Sequence, residues 1–77
     1  MNTADFIRGL DILMDYYDKR DSYHLGAEHD VIYAYATDRP LSPGDLQRVI
    51  DFGFHQEGVE TFEAKHYDPS EGWAAYV

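Results

Sequence analysis

The sequence contains no cysteine, so neither a disulfide bond nor a cysteine-based metal site contributes to its fold. Basic residues are scarce: six Lys and Arg stand against fifteen Asp and Glu, which gives a formal net charge of −9. A field of that sign repels nucleic acids and anionic membranes and attracts basic surfaces. No long apolar run and no basic leader region are present, so we expect neither a membrane span nor a signal peptide. These absences are typical of a cytoplasmic protein.

Aromatic residues are abundant instead, with seven Tyr, four Phe and one Trp among 77 residues. A chain of this length forms one domain and buries only about 60% of its unfolded surface. Aromatic side chains bury the most area per residue, so we expect them to dominate the core. With 44% hydrophobic residues the chain is predicted to fold, as a single acidic domain over residues 1–77.

The first predicted element is an amphipathic helix from about Ala4 to Lys19 with Thr3 as its N-cap. Its apolar residues recur at spacings of three and four and are assigned to the core: Phe6, Ile7, Leu10, Leu13, Met14 and Tyr17. An acidic stripe follows beside them, formed by Asp11, Asp15 and Asp18. Ile12 and Tyr16 are predicted on the solvated face, where an apolar pair with a charged rim is typical of an interface. Packing of this pair under the following loop is the alternative.

The second predicted helix has a clear start and a clear end. Ser42 is the expected N-cap, Pro43 takes the first helical position and Asp45 occupies the third position of a capping box. Gly53 is the expected glycine just after the last turn.

The remaining segments are predicted as sheet and turns. Residues 21–30 have no period and indicate a loop, and residues 68–72 indicate a turn from which Gly72 exits with positive φ. The predicted strands are 31–36, 59–67 and 73–77, the last of them closing a hairpin, and residues 54–56 are a candidate for a further short strand. The order α-β-α-β-β predicts an α+β fold in which a small antiparallel sheet of about three strands is packed by two helices.

Catalytic and metal-binding patterns are weak. His24 and His29 lie close together beside acidic residues, but no H-E-x-x-H motif or Cys/His pairing is present. Ser42 and Ser70 already have roles in a cap and a turn, and nothing resembles a nucleophile elbow, phosphate loop or dinucleotide fingerprint. We therefore expect no enzyme activity, no cofactor and no metal, with a metal site at His24 and His29 as a weaker alternative.

The acidic residues are the strongest functional candidates, as a surface for a basic protein partner and not for nucleic acid or membrane. A solvated face that only keeps the chain soluble is the alternative. The predicted partner-binding residues are Asp11, Asp15, Asp18, Asp21, Glu28 and Asp30, together with Ile12 and Tyr16.

Three segments resemble short proteins of phages and mobile elements: Glu28–Tyr33, Leu46–Phe54 and Tyr67–Val77. Those proteins have an N-terminal helix, an E-H-D-x-I-Y strand entry, a helix ending in L-G-W or L-G-F, and a terminal W-x-x-[FY]-V strand. The resemblance covers most of residues 5–77, and Phe52 stands here where leucine is usual. Its motifs are those of a core and of turns, without catalytic residues.

The size, the charge and the missing active site are similar to those of anti-CRISPR proteins, several of which occupy the DNA- or PAM-binding surfaces of CRISPR effector complexes. This resemblance implies an inhibitor of a type I CRISPR system in a bacterial cytoplasm, which acts either as a DNA mimic or by blocking a nucleic-acid-binding surface. It carries over no contact residue, because the group has no common motif. A non-catalytic interaction module of a mobile element, homodimeric through Ile12 and Tyr16 or through an edge strand, is the alternative.

Overall fold

A computed structural model describes residues 1–18, 25–28, 30–56 and 61–76, with Glu28 described by its backbone alone. Its elements are helix α1 (Thr3–Met14), strands β1 (Leu25–Glu28) and β2 (Val31–Ala34), helix α2 (Pro43–Asp51), a 3-10 turn (Ala64–His66) and strand β3 (Trp73–Tyr76). The predicted α+β class, with two helices and a small antiparallel sheet, is confirmed. The predicted order lacked β1, which occupies part of the expected loop. Within the described residues, no helix has the length and apolarity needed to cross a bilayer.

The sheet has the order β1-β2-β3, so β2 is its central strand and both pairings are antiparallel. Ala34 of β2 lies opposite Leu25 on one side and opposite Trp73 on the other. The prediction that β3 pairs with a strand at 59–67 was therefore wrong. In the described part of that segment, residues 61–63 are irregular and the 3-10 turn follows.

Residues on either side of strand β3 in the structure bond to part of its second edge and shape the turn before it. His55 exchanges two backbone hydrogen bonds with Ala74, of 3.0 and 2.7 Å, so the candidate strand at 54–56 is a single bridge. Gly72 does not take the predicted positive φ; among the described glycines only Gly53 does, at 108°. A glycine is needed at position 72 because a Cβ there would lie 2.6 Å from the carbonyl oxygen of Ala34.

Helix α1 begins one residue earlier and ends five residues sooner than predicted. Asn2 is its N-cap, since the side-chain oxygen accepts a 2.8 Å hydrogen bond from the N–H of Asp5. Asp15 is the C-cap, so Asp18 lies beyond the helix. The acidic residues after Met14 are thus not a helical stripe.

The side of α1 that faces the core differs from the predicted one, because it is centred nearer to Gly9. Gly9 and Leu13 are buried, and the ring of Phe54 fills the space over Gly9. Ile12 and Tyr16 are half-buried and pack against the core, so their predicted solvated position was wrong. The remaining predicted core residues of α1 stay in or against the core, with one exception: Ile7 is 58% exposed.

Helix α2 confirms Ser42 as N-cap and Pro43 in the first turn. The predicted capping box is only half formed, since the N–H of Ser42 donates to the hydroxyl of Tyr16 and not to Asp45. The Ser42 side chain accepts from the N–H of Asp45 at 3.3 Å, and Pro43 occupies the first turn. Leu46 and Val49 are buried in the same core cluster as Leu13 of α1 and Trp73 of β3. This shared core fixes both helices against one face of the sheet.

Replacement of Gly9 by alanine is expected to destabilise the protein by about 1–3 kcal/mol. The new Cβ would lie 2.3 Å from the Cε1 atom of Phe54, so the ring must leave its stacked position on Phe6, 5.8 Å between centroids. Gly44→Ala is the matched control, because its Cβ meets nothing within 4 Å and alanine favours a helix. Urea unfolding followed by circular dichroism measures both variants. Equal midpoints would show that Phe54 does not pack on Gly9.

Candidate protein-binding surface

The acidic side chains that the structure describes lie at the protein surface. In the part of the chain that the structure describes, no carboxylate is buried, and the buried polar side chains are Thr37 and Gln56. Exposed acidic side chains are found on both helices and in the loops: Asp11, Asp15, Asp18, Asp30, Asp38, Asp51, Glu63, Asp68 and Glu71. A basic partner can therefore reach these charges without opening the fold.

Three of these residues, Asp15, Asp18 and Asp38, form what we call the acidic end, at the carboxyl end of α1. The backbone N–H of Asp18 donates to Oδ2 of Asp38 at 2.7 Å, and the N–H of Asp38 donates to the carbonyl oxygen of Tyr16 at 3.0 Å. These bonds hold the segment after β2 against the end of α1. Asp38 was not among the predicted site residues, because its contact with the end of α1 joins residues twenty positions apart in the sequence.

Tyr17 lies beneath the acidic end and is 4% exposed. Its hydroxyl donates to the carbonyl oxygen of Tyr35. Burial, and then the negative charge of Asp38, raise the pKa of Tyr17 to about 12. Tyr17 therefore stays neutral at physiological pH and serves as a packing and hydrogen-bonding residue below the charged surface.

Tyr16 joins α1 to the start of α2 and is not an exposed anchor. Its hydroxyl donates to Oδ2 of Asp45 at 2.6 Å and accepts from the N–H of Ser42 at 3.2 Å. The guanidinium of Arg39 lies 5.7 Å from the centre of the Tyr16 ring and donates to the carbonyl oxygen of Asp15. The polar and aromatic groups of Tyr16 thus already have partners within the protein.

An apolar hollow does lie beside the acidic residues, but Ile7 forms it in place of Ile12 and Tyr16. Ile7, Leu10 and Met14 line a shallow hollow of about 280 Å³ on α1, together with the basic residue Arg8. Asp11 lies at its edge, one helical turn before Asp15. The combination expected from the sequence, an apolar anchor next to acidic residues, is therefore present at different residues.

Asp30 lies at the opposite end of the sheet from the acidic end. Asp30 directly precedes β2, and the first residue of β2, Val31, pairs with Tyr76. The carbonyl oxygen of Tyr76 accepts from the amino group of Met1 at 3.2 Å, so this end of the sheet lies beside the start of the chain. The carboxyl end of α1 instead contacts Tyr35, through Tyr17. The extended chain between Asp30 and Tyr35 spans about 16 Å. The structure therefore separates Asp30 from Asp15 and Asp18.

The other predicted binding and metal-binding residues are only partly described. Asp21, His24 and His29 lie outside the described residues, as does the side chain of Glu28, whose backbone lies in β1 opposite Val31. Among the residues that are described, no group of three or more His, Asp or Glu is placed to hold a metal ion.

The turn before β3 lies at the same end of the sheet as the acidic end, because Trp73 pairs with Ala34, and hydrogen bonds hold this turn in place. The buried amide of Gln56 donates to the carbonyl oxygens of Asp68 and Glu71, at 2.8 and 3.3 Å, and accepts from the N–H of Asp68 at 2.8 Å. Oδ1 of Asp68 accepts from both the hydroxyl and the N–H of Ser70, and these bonds lower the pKa of Asp68. The turn is therefore ordered without a partner.

Comparison of the chain with protein-family models, with curated proteins and with solved structures gives no match.

Proposed function

We propose that the protein is a non-catalytic inhibitor of the anti-CRISPR type, acting in a bacterial cytoplasm on a type I CRISPR effector complex. It binds a basic, nucleic-acid-binding surface of that complex and places carboxylates where DNA phosphates would lie. The observation that carries this proposal is the acidic end, where Asp15, Asp18 and Asp38 are exposed and where backbone N–H groups hold the segment of Asp38 against that of Asp18.

Fixed carboxylates are better phosphate substitutes than mobile ones. Binding at Asp38 costs the acidic end less conformational entropy, because the carboxylate of Asp38 already accepts from Asp18 and its backbone already donates to Tyr16. The net charge of −9 adds long-range attraction toward a basic surface. Binding should therefore be fast and should weaken as salt increases.

A second candidate function, a homodimeric interaction module, is favoured by exposed apolar side chains. Ile7 is 58% exposed in the hollow of α1, and Tyr76 is 60% exposed on β3. A second copy of the chain would cover one of them. Sedimentation equilibrium across a range of protein concentrations tests this candidate. The monomer has a mass of 8.9 kDa, and a stable dimer would show twice that mass.

Neutralisation of the acidic end is expected to weaken inhibition about tenfold or more, because close charge pairs across an interface are worth more than surface pairs within a protein. The variant is Asp15→Asn with Asp18→Asn, which keeps the size of both side chains. The measurement is competition with target DNA for guide-loaded type I effector complexes, at low and at high salt.

The matched control is Asp51→Asn with Glu63→Gln, which removes the same charge from exposed residues on α2 and before the 3-10 turn. The control is expected to inhibit within about twofold of the parent, since distant surface charges are screened. If both double variants lose inhibition equally, the total charge and not the acidic end is responsible. If the parent does not compete with DNA for any such complex, the proposed function is wrong.

A further inference from the structure

A groove of about 350 Å³ opens where β2 ends beside the turn that leads into β3. Tyr33 and Ala74 lie opposite each other in the sheet, so their side chains leave the same face. Tyr35 also lines the groove and is 59% exposed. Because Ala74 and Gly72 are small, space remains between the tyrosines and the turn.

Glu71 is the acidic residue among the described residues that line this groove, and these include no Lys, Arg or His. Its backbone N–H donates to Asp68 and its carbonyl oxygen accepts from Gln56. Its exposed carboxylate has no hydrogen-bond or ion-pair partner among the described residues. An aromatic wall with an available carboxylate is complementary to a guanidinium, which is planar, stacks on rings and donates to carboxylates.

The chain itself contains one example of this chemistry. Arg39 lies over the ring of Tyr16, 5.7 Å from its centre, while donating to the carbonyl oxygen of Asp15. The groove offers a comparable combination, a tyrosine ring and an acceptor oxygen, with no cation among its described lining residues.

We propose that the groove receives an arginine side chain of the basic partner, with the guanidinium against Tyr35 and its donors on the carboxylate of Glu71. The proposal rests on the proposed function only for the basic character of that partner. Tyr35 is three residues from Asp38 of the acidic end, at most about 11 Å of chain. One basic surface can therefore contact the acidic end and insert an arginine into the groove.

The test titrates the ¹⁵N-labelled protein with N-acetyl-arginine amide, and separately with N-acetyl-citrulline amide, which has the same shape without the charge. Amide shifts are expected at Tyr35, Glu71 and Gly72 with the arginine probe and not with citrulline. Glu71→Gln should weaken the arginine response about three- to fivefold, and Tyr35→Ala about two- to fivefold. Asp51→Asn, an exposed acid outside the groove, should leave it unchanged.

Several results would overturn the proposal: an equal response to citrulline, an equal loss in Asp51→Asn, or shifts confined to other surfaces. Shifts of the groove amides with protein concentration alone would assign the groove to a second copy of the chain and also overturn it. No CRISPR complex is present in this titration, so its outcome is separate from that of the DNA competition. Arginine binding that persists in Asp15→Asn with Asp18→Asn would show that the two surfaces act independently.

Discussion

Trp73→Ala is expected to lower the free energy of unfolding by about 3–5 kcal/mol, which leaves much of the protein unfolded at room temperature. Trp73 is 1% exposed, and its ring makes an edge contact with Phe62 and stacks on Tyr67, at 5.5 and 5.8 Å between centroids. A domain of this size is typically stable by about 4–12 kcal/mol in total. The side chain of Trp73 therefore accounts for a large share of the free energy of unfolding.

Urea unfolding of this variant must be followed by circular dichroism, since Trp73 is the single tryptophan and its fluorescence is lost with it. Ile7→Ala is the control, because Ile7 is 58% exposed and its truncation should cost no more than about 0.5 kcal/mol. A Trp73→Ala protein as stable as the Ile7→Ala protein would contradict the placement of Trp73 at the centre of the core.

Tyr17→Phe is expected to make stability less sensitive to alkaline pH. The pKa of Tyr17 is about 12 in the folded protein and about 10 in the unfolded chain. Between these values the unfolded chain releases a proton that the folded protein keeps, so stability falls as pH rises, by up to about 2–3 kcal/mol. Phenylalanine removes this loss. At neutral pH the same variant should be about 1 kcal/mol less stable, because the hydrogen bond to Tyr35 is gone.

Urea midpoints measured from pH 8 to pH 12 test this expectation. Asp38→Asn removes the smaller cause of the raised pKa, the nearby charge, and keeps the larger one, burial. The alkaline loss of stability should therefore be greatest in the parent, intermediate in Asp38→Asn and smallest in Tyr17→Phe. A parent and a Tyr17→Phe variant with equal alkaline slopes would show that Tyr17 is not buried as described.

Both ends of helix α2 could be predicted because the sequence signals that start and end a helix are local. Ser42, Pro43 and Gly53 act on backbone groups within a few residues of themselves, and the structure has each of them in the expected place. The central strand β2 was predicted for a similar reason, since its β-branched and aromatic residues favour an extended chain.

Helix α1 was predicted to exist, but its buried side was not, because a glycine gives no hydrophobic signal. Gly9 lies at the middle of the buried side only because the ring of Phe54, distant in sequence, packs over it. That contact turns Ile12 and Tyr16 toward the core and leaves Ile7 in solvent. The same rotation changed which apolar residues lie beside the acids.

Strand pairing was the least predictable part of the fold. The Leu25–Glu28 segment contains a glycine and an alanine and has little β-propensity of its own, and it is a strand because β2 supplies its hydrogen bonds. The alternation at 59–67 suggested a strand, but Glu63 and His66 cap a 3-10 turn there. The acidic end depended on the same kind of distant contact, between Asp18 and Asp38.

The buried Gln56 amide also determines how diverged homologues of this chain can be recognised. It donates to two carbonyl oxygens and accepts from one N–H, so glutamate lacks a donor for that site and asparagine is too short to reach it. A homologue that keeps the turn before β3 must therefore keep this glutamine even where its surface charges have changed. The pattern F-x-Q, followed by D-P-S-x-G-W twelve residues after the glutamine, is the evolutionary signature to search for.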